Sequence, residues 1–234
     1  MQTHFERELD QLKEKLLTMS SHATSNVANA IKALVDRDDD LARKVIESDS
    51  VLDTIEKEID EMAIHLLSKA PLASDLRLIT VAMKCSHHLE RVADEATTIA
   101  RRSIELSQEP QLKPYVDIPR MANMALEMMN EGLAAFVNRS SERARAVIPR
   151  DKEVDALNKQ LHRELASYMI EKPTTISRCL NLMVISKSLE RIADHATNIA
   201  EEVVYLFEAK DIRHTGKGQG SNPPDASASS PATN

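Results

Sequence analysis

Leu89 to Ala100 reads "LERVADEATTIA", and one hundred residues later Leu189 to Ala200 reads "LERIADHATNIA". Advancing about 100° per residue gathers Leu89, Val92, Ala93, Ala96 and Ile99 on one helical face. Glu90, Asp94, Thr97 and Arg101 form a narrow stripe beside that face, because side chains four apart share one side of a helix. The second copy repeats the stripe as Glu190, Asp194, Thr197 and Glu201. A phrase written twice at this distance marks a duplicated unit.

The duplication extends upstream. "ALVDRDDDLARKVIESDSVLD" (Ala33–Asp53) aligns without gaps to "AFVNRSSERARAVIPRDKEVD" (Ala135–Asp155), and nine of the twenty-one positions match. Pro71 maps onto Pro173 at the same offset of 102. Apolar residues at spacings of three and four predict six long helices. They cover Phe5 to about Leu34, Leu41 to Lys69, Ala73 to Leu106, Pro119 to Asn138, Ser141 to Ile170, and Thr175 to Phe207. Pro71 and Pro173 stop the second and fifth, since proline lacks the N–H and disfavours helix before it; Pro149 should kink the fifth or delay its start.

The expected fold is all-α: two tandem three-helix bundles, residues 1–108 and 109–213, followed by a disordered Gly/Pro/Ser-rich tail at 214–234. Composition agrees. Only 3% of residues are aromatic, and of four glycines the body holds only Gly132, so strands and tight turns lack their usual materials.

A formal charge of -7 argues against a nucleic-acid partner. The longest unbroken apolar runs are "LAAFV" and "VVYLF", too short to span a bilayer. No apolar stretch opens the chain, and Cys85 and Cys179 sit singly inside helical patterns, so a cytoplasmic protein without disulfides is expected.

The second matching segment also carries an acidic stripe. Asp49, Asp53, Glu56 and Asp60 fall in one band, answered in the second unit by Asp151, Asp155, Asn158 and His162. All are oxygen or imidazole donors. One acidic i,i+4 pair is ordinarily solvated surface, but four D/E-x-x-x-D pairs at matching places in a duplicated scaffold point to shared cations. Carboxylates in such number favour Mg²⁺, Mn²⁺ or Fe³⁺, and imidazole widens the choice to Zn²⁺ and Fe²⁺. His87 and His195 read as exposed polar residues, and His88 joins no stripe. Arg91 and Arg191 follow the motif glutamate in both copies, placed to hold a carboxylate or grip a phosphate.

Two Leu-preceded E-R-[IV]-A-D phrases, with D-x-x-x-D pairs upstream on duplicated three-helix units, resemble the PhoU family over residues 1–213. The resemblance implies a cytoplasmic, dimeric, non-enzymatic negative regulator of the phosphate-starvation response. It implies metal clusters held by Asp49, Asp53, Glu90 and Asp94, and by Asp151, Asp155, Glu190 and Asp194. The partners it implies are the phosphate ABC transporter and a sensor histidine kinase, with any membrane association made through them. Two other readings are a ferritin-like metalloenzyme, whose Glu-x-x-His hallmark no histidine here supplies, and a helical adaptor that uses no metal.

Overall fold

The structure, a computed structural model, describes residues 3–212, and the expected tail at 214–234 lies outside them. Helix α1 (His4–Asp36) begins in a capping box, where Thr3 and Glu6 satisfy each other's backbone N–H groups. Its end is set by Arg37, in the left-handed conformation at φ 57°. The Arg37 guanidinium donates to the carbonyls of Ser107 and Glu109 at 2.7 and 2.6 Å, fastening this corner to the end of the unit's last helix.

The second predicted rod is broken where the sequence reading had it continuous. Helix α2 (Asp39–Glu47) starts at Asp38, whose side chain accepts from the Leu41 N–H, and stops at Ser48. Helix α3 (Asp49–Leu67) follows at once. The Ser48 hydroxyl lies 2.7 Å from the Val45 carbonyl and 3.0 Å from Asn26 Oδ1, so a local side-chain bond replaces regular helix continuation there. Helix α4 (Ala73–Ser107) then carries the first copy of the repeated phrase.

The second unit repeats this plan with α5 (Asp117–Val137), α6 (Ser141–Val147), α7 (Asp151–Glu171) and α8 (Ile176–Glu208). A 3₁₀ turn at Ile148–Arg150 separates α6 from α7. Pro149 is its cause, as expected: it can sit in the first turn of a helix but cannot donate inside one. A second 3₁₀ turn, Pro173–Thr175, leads into α8. The described residues form two three-rod bundles, the middle rod of each being broken, and contain no strand.

Helices α4 and α8 form the shared spine. Leu89, Val92, Ala93, Ala96, Ile99 and Ala100 are buried, as are Leu189, Ile192, Ala193, Ala196, Ile199 and Ala200. Alanines on these faces allow close helix approach, while each buried leucine or isoleucine contributes roughly 1.5–3 kcal/mol of apolar burial. The spine is antiparallel. Going up α4, Lys84 meets Glu202, His88 meets His195 and Glu95 meets Arg191. Gly132 of α5 lies against Ala196 and Ile199 of α8, where an added Cβ would meet its nearest atom at 3.7 Å. Both cysteines are free and buried, and burial pushes the Cys85 thiol far up from its usual value, which disfavours its thiolate. No helix among the described residues is long and apolar enough to cross a membrane.

Candidate metal centre

The acidic stripes of α3 and α4 face each other. At one end Thr97 of α4 donates to Asp49 Oδ1 of α3 at 3.3 Å. Burial, followed by the charges of Asp94 and Asp53, raises the Asp49 carboxyl above the usual carboxylate range; the Thr97 hydrogen bond and Arg101 offset part of this. Burial and Asp94 likewise raise Glu90, with Glu56 adding to the push and Arg91 and His87 opposing it. The four residues expected here thus share one field: Asp49 and Asp53 from α3, Glu90 and Asp94 from α4. Asp53 is exposed at the rim, while Asp49, Glu90 and Asp94 are half-buried. Arg91 covers the seam, with Nε 3.3 Å from Glu90 Oε2 and Nη1 3.1 Å from Asp94 Oδ2.

Two neighbours sharpen this picture. His87 is exposed, as the sequence suggested, but its Nδ1 lies 3.3 Å from Glu56 Oε1 across the seam. Glu56, His87 and Glu90 each offer a donor atom, and the three atoms lie within 4.8 Å of one another. Among the described residues, no other three His, Cys, Asp or Glu side chains bring donors so close. Sequence reasoning placed Glu56 in the stripe yet left His87 out. The missed signal was the three-residue step from His87 to Glu90, which puts both on one helical side.

The second seam has the same carboxylates in another setting. Asp151 and Asp155 come from α7, Glu190 and Asp194 from α8. Lys187 stands where the first unit has His87, and its Nζ makes a close ion pair with Glu190. Lys159 Nζ stands 3.9 Å from Asp155 Oδ2. Asn158 occupies the place of Glu56 and is buried, accepting from Ser186 Oγ at 2.8 Å; His162 Nε2 is 3.0 Å from the same hydroxyl. Side-chain hydrogen bonds therefore close the middle of this seam. Thr197 Oγ1, equivalent to the Thr97 hydroxyl, is buried without a hydrogen-bond partner.

The chemistry of the donors decides the fit. The first seam offers carboxylates and an imidazole whose donor atoms lie close together, and it suits a cation. The second brings its own ammonium to Glu190 and suits one less well.

Between the units, His88 and His195 approach with 3.2 Å between Nδ1 atoms. Both are half-buried, which corrects the reading of His195 as exposed and gives His88 a partner. Burial comes first in holding His88 at about 4, followed by His195 and His87. It also holds His195 at about 4, with His87, Arg91 and Arg191 adding to the effect. Near pH 7 the pair is neutral.

Fold and site together define a tandem three-helix-bundle protein with an acidic seam in each half. The PhoU domain model matches it twice, over residues 16–103 and 118–203. A phosphate-specific transport system accessory protein PhoU homolog from Pseudomonas aeruginosa is 41% identical over 214 residues, covering 91% of this chain and 88% of the relative. A homolog of the same description from Aquifex aeolicus is 38% identical over 209 residues, covering 89% and 95%. The crystal structure of PhoU from Pseudomonas aeruginosa superposes with a TM-score of 0.86 at 40% identity, covering 88% of this chain and all of that one. The phosphate transport system regulatory protein PhoU from Streptococcus pneumoniae gives 0.85 at 27% identity, covering 89% and 99%. The chain belongs to the PhoU family.

Proposed function

We propose that this protein is a cytoplasmic, non-enzymatic regulator of phosphate uptake. It acts as a dimeric adaptor between a phosphate ABC transporter and a sensor histidine kinase and restrains the phosphate-starvation response. The printed roles of its relatives, as transport-system accessory and regulatory proteins, support the transporter half of this reading. Long rods that meet in side-chain seams suit a surface that other proteins read. The two family-model matches support a division into units near residue 108.

The observation that carries the metal part is the facing of α3 and α4, where burial and the neighbouring carboxylates raise Asp49 and Glu90. An acidic wall of that kind is costly unless a cation neutralises it. Asp49, Asp53, Glu90 and Asp94 would hold the ion or ions in the first unit, and Asp151, Asp155, Glu190 and Asp194 those in the second. Iron, zinc, manganese and magnesium all accept such donors. A bound ion would supply positive charge and open coordination positions to which an anionic group of a partner could attach. Thr97 would orient Asp49, and Arg91 would steady Glu90 and Asp94.

Elemental analysis of the purified full chain tests this, with Glu90→Ala/Asp94→Ala and Glu190→Ala/Asp194→Ala variants alongside. The wild type should carry metal that the first variant loses, and chelation should weaken co-purification of the transporter. Equal, near-zero metal in all three proteins would remove the ions from the model. Unchanged transporter capture after chelation would make the adaptor metal-independent.

A further inference from the structure

We propose that the cleft where the two units meet at one pole of the spine is a docking groove. Its occupant is the C-terminal end of an amphipathic helix from a partner protein, capped by Arg139. This inference rests on the adaptor reading and supplies a surface for it.

The cleft is the first observation. At this pole α1 and α4 bring their N-terminal halves together with the C-terminal ends of α5 and α8. Between them lies a space of about 860 Å³, within the range of pockets that take large ligands. Leu9, Leu17, Leu78, Phe136, Leu206 and Phe207 line it. The chain has only three phenylalanines, and two of them stand here. Val137 also lines the cleft and is 54% exposed. Apolar walls of this kind receive the side chains of one helical face.

The second observation is an arginine that occurs twice. Arg37 and Arg139 are equivalent in the duplicated segment, and each lies just past the end of its helix in the left-handed conformation, at φ 57° and 52°. Glycine adopts that conformation without strain and arginine does not. In the first unit the guanidinium spans two carbonyls at the C-terminal end of α4, Ser107 at 2.7 Å and Glu109 at 2.6 Å. The offset of 100 makes the carbonyls of Phe207 and Ala209 their counterparts. Arg139 bonds to neither. Helix α8 ends at Ala209 in its own left-handed turn, at φ 53°, and the Arg139 side chain has no hydrogen bond or ion pair among the described residues. It is exposed and lines the cleft. The same fork, in the same backbone setting, is presented to the cleft instead of to its own chain.

Charge sets the direction of the occupant. Glu6, Asp10, Lys13 and Asp75 are the other charged groups lining the cleft. Glu6 accepts from the Thr3 N–H at 2.7 Å, and Asp10 accepts from Lys13 at 2.9 Å. Asp75 sits in the first turn of α4, against that helix's positive end. Each carboxylate has a local positive partner, whereas Arg139 has no negative one. A helix C-terminus carries about half a negative charge on carbonyls left unpaired within the helix, and an arginine can bond them. A helix entering with that end at Arg139 satisfies the guanidinium and lays its apolar face on the phenylalanines.

Photocrosslinking tests this in cells expressing the full chain with Val137→p-benzoylphenylalanine, followed by mass spectrometry of the joined peptide. The joined segment, made synthetically, is then titrated against the purified full chain. The expected segment belongs to another protein, spaces its apolar residues by three and four, and gains helicity on binding in circular dichroism difference spectra. Val137→Lys should abolish its binding, and Arg139→Gly should weaken it roughly tenfold or more. Glycine suits the left-handed backbone there, so Arg139→Gly should melt no lower than wild type, which separates loss of the clamp from loss of the fold. Crosslinks only to a second copy of the chain, crosslinks only to lipid, no crosslink at all, or a segment bound equally well by Arg139→Gly would each overturn the groove. Capture of transporter and kinase that survives both Val137→Lys and Arg139→Gly would overturn it too, and would leave the adaptor reading standing. A wild type that captures neither defeats the adaptor reading instead, and the peptide titration then decides the groove alone.

Discussion

The seam between α3 and α4 and the seam between α7 and α8 descend from one pattern, yet they handle the same carboxylates differently. In the first, Asp49 and Glu90 are raised by burial and by acidic neighbours, and a threonine and two arginines offset only part of the cost. In the second, Lys187 is paired with Glu190, and Asn158, Ser186 and His162 are joined by hydrogen bonds in the middle of the seam. Duplication copies where negative charge is placed; it does not copy how that charge is neutralised. The first half leaves more of that charge uncompensated, while the second carries more of its own countercharge.

The largest effect that can sharpen this contrast concerns the contact joining the halves. His88 and His195 both sit at about 4, below the ordinary histidine value of 6.5. Below pH 6.5 the unfolded chain takes up protons that the native pair refuses, so stability should fall steadily as pH drops from 6.5 to 4. The groups facing the pair are His87, Glu202, Lys84, Arg91 and Arg191. Asp49 and Glu90 act in the opposite direction: with raised carboxyl values, the native state binds protons first and gains stability on acidification. Urea midpoints for wild type and His88→Asn/His195→Asn across that window should show a steep fall in the first and a flat or rising profile in the second. Parallel profiles would mean that the pair is not neutral.

Next in size is a pair of identical substitutions with different outcomes. Thr97→Val removes the hydrogen bond to Asp49 and should cost about 1 kcal/mol in chemical denaturation. Thr197→Val removes a buried hydroxyl that has no hydrogen-bond partner, so it should be neutral or slightly stabilising. Equal losses at both sites would erase this distinction between the seams. The smallest effect is a reversal of sign. Glu90→Gln should stabilise the metal-free protein by a few tenths of a kcal/mol, because it relieves an unfavourable charge. Glu190→Gln should cost about 0.5 kcal/mol, because Lys187 loses its counterion. Thermal melts without metal, at neutral pH and low salt, are the measurement; the same sign at both sites would argue against a built-in countercharge.

Much of this was visible in the residues alone. The repeated phrase located α4 and α8, and the upstream match located α3 and α7. Helical spacing put Asp49, Asp53, Glu90 and Asp94 on stripes able to face one another, as they do. The break at Ser48 was not visible, because serine is common within helices and only its bond to Asn26, twenty-two residues away, shows what it does. Nor was the meeting of His88 with His195. Periodicity tells which side of a rod a residue occupies, but the register of one unit against the other depends on how alanine-lined faces settle at the crossing. Lys187 was readable in principle: extending the two phrases two residues further upstream sets it opposite His87.

The antiparallel spine has a consequence for any binding protein. Because α4 and α8 run in opposite directions, the two acidic grooves are arranged head to tail, and their equivalent ends point to opposite poles of the molecule. Gripping both at once demands a receptor that is itself paired, with its two copies related by a half-turn.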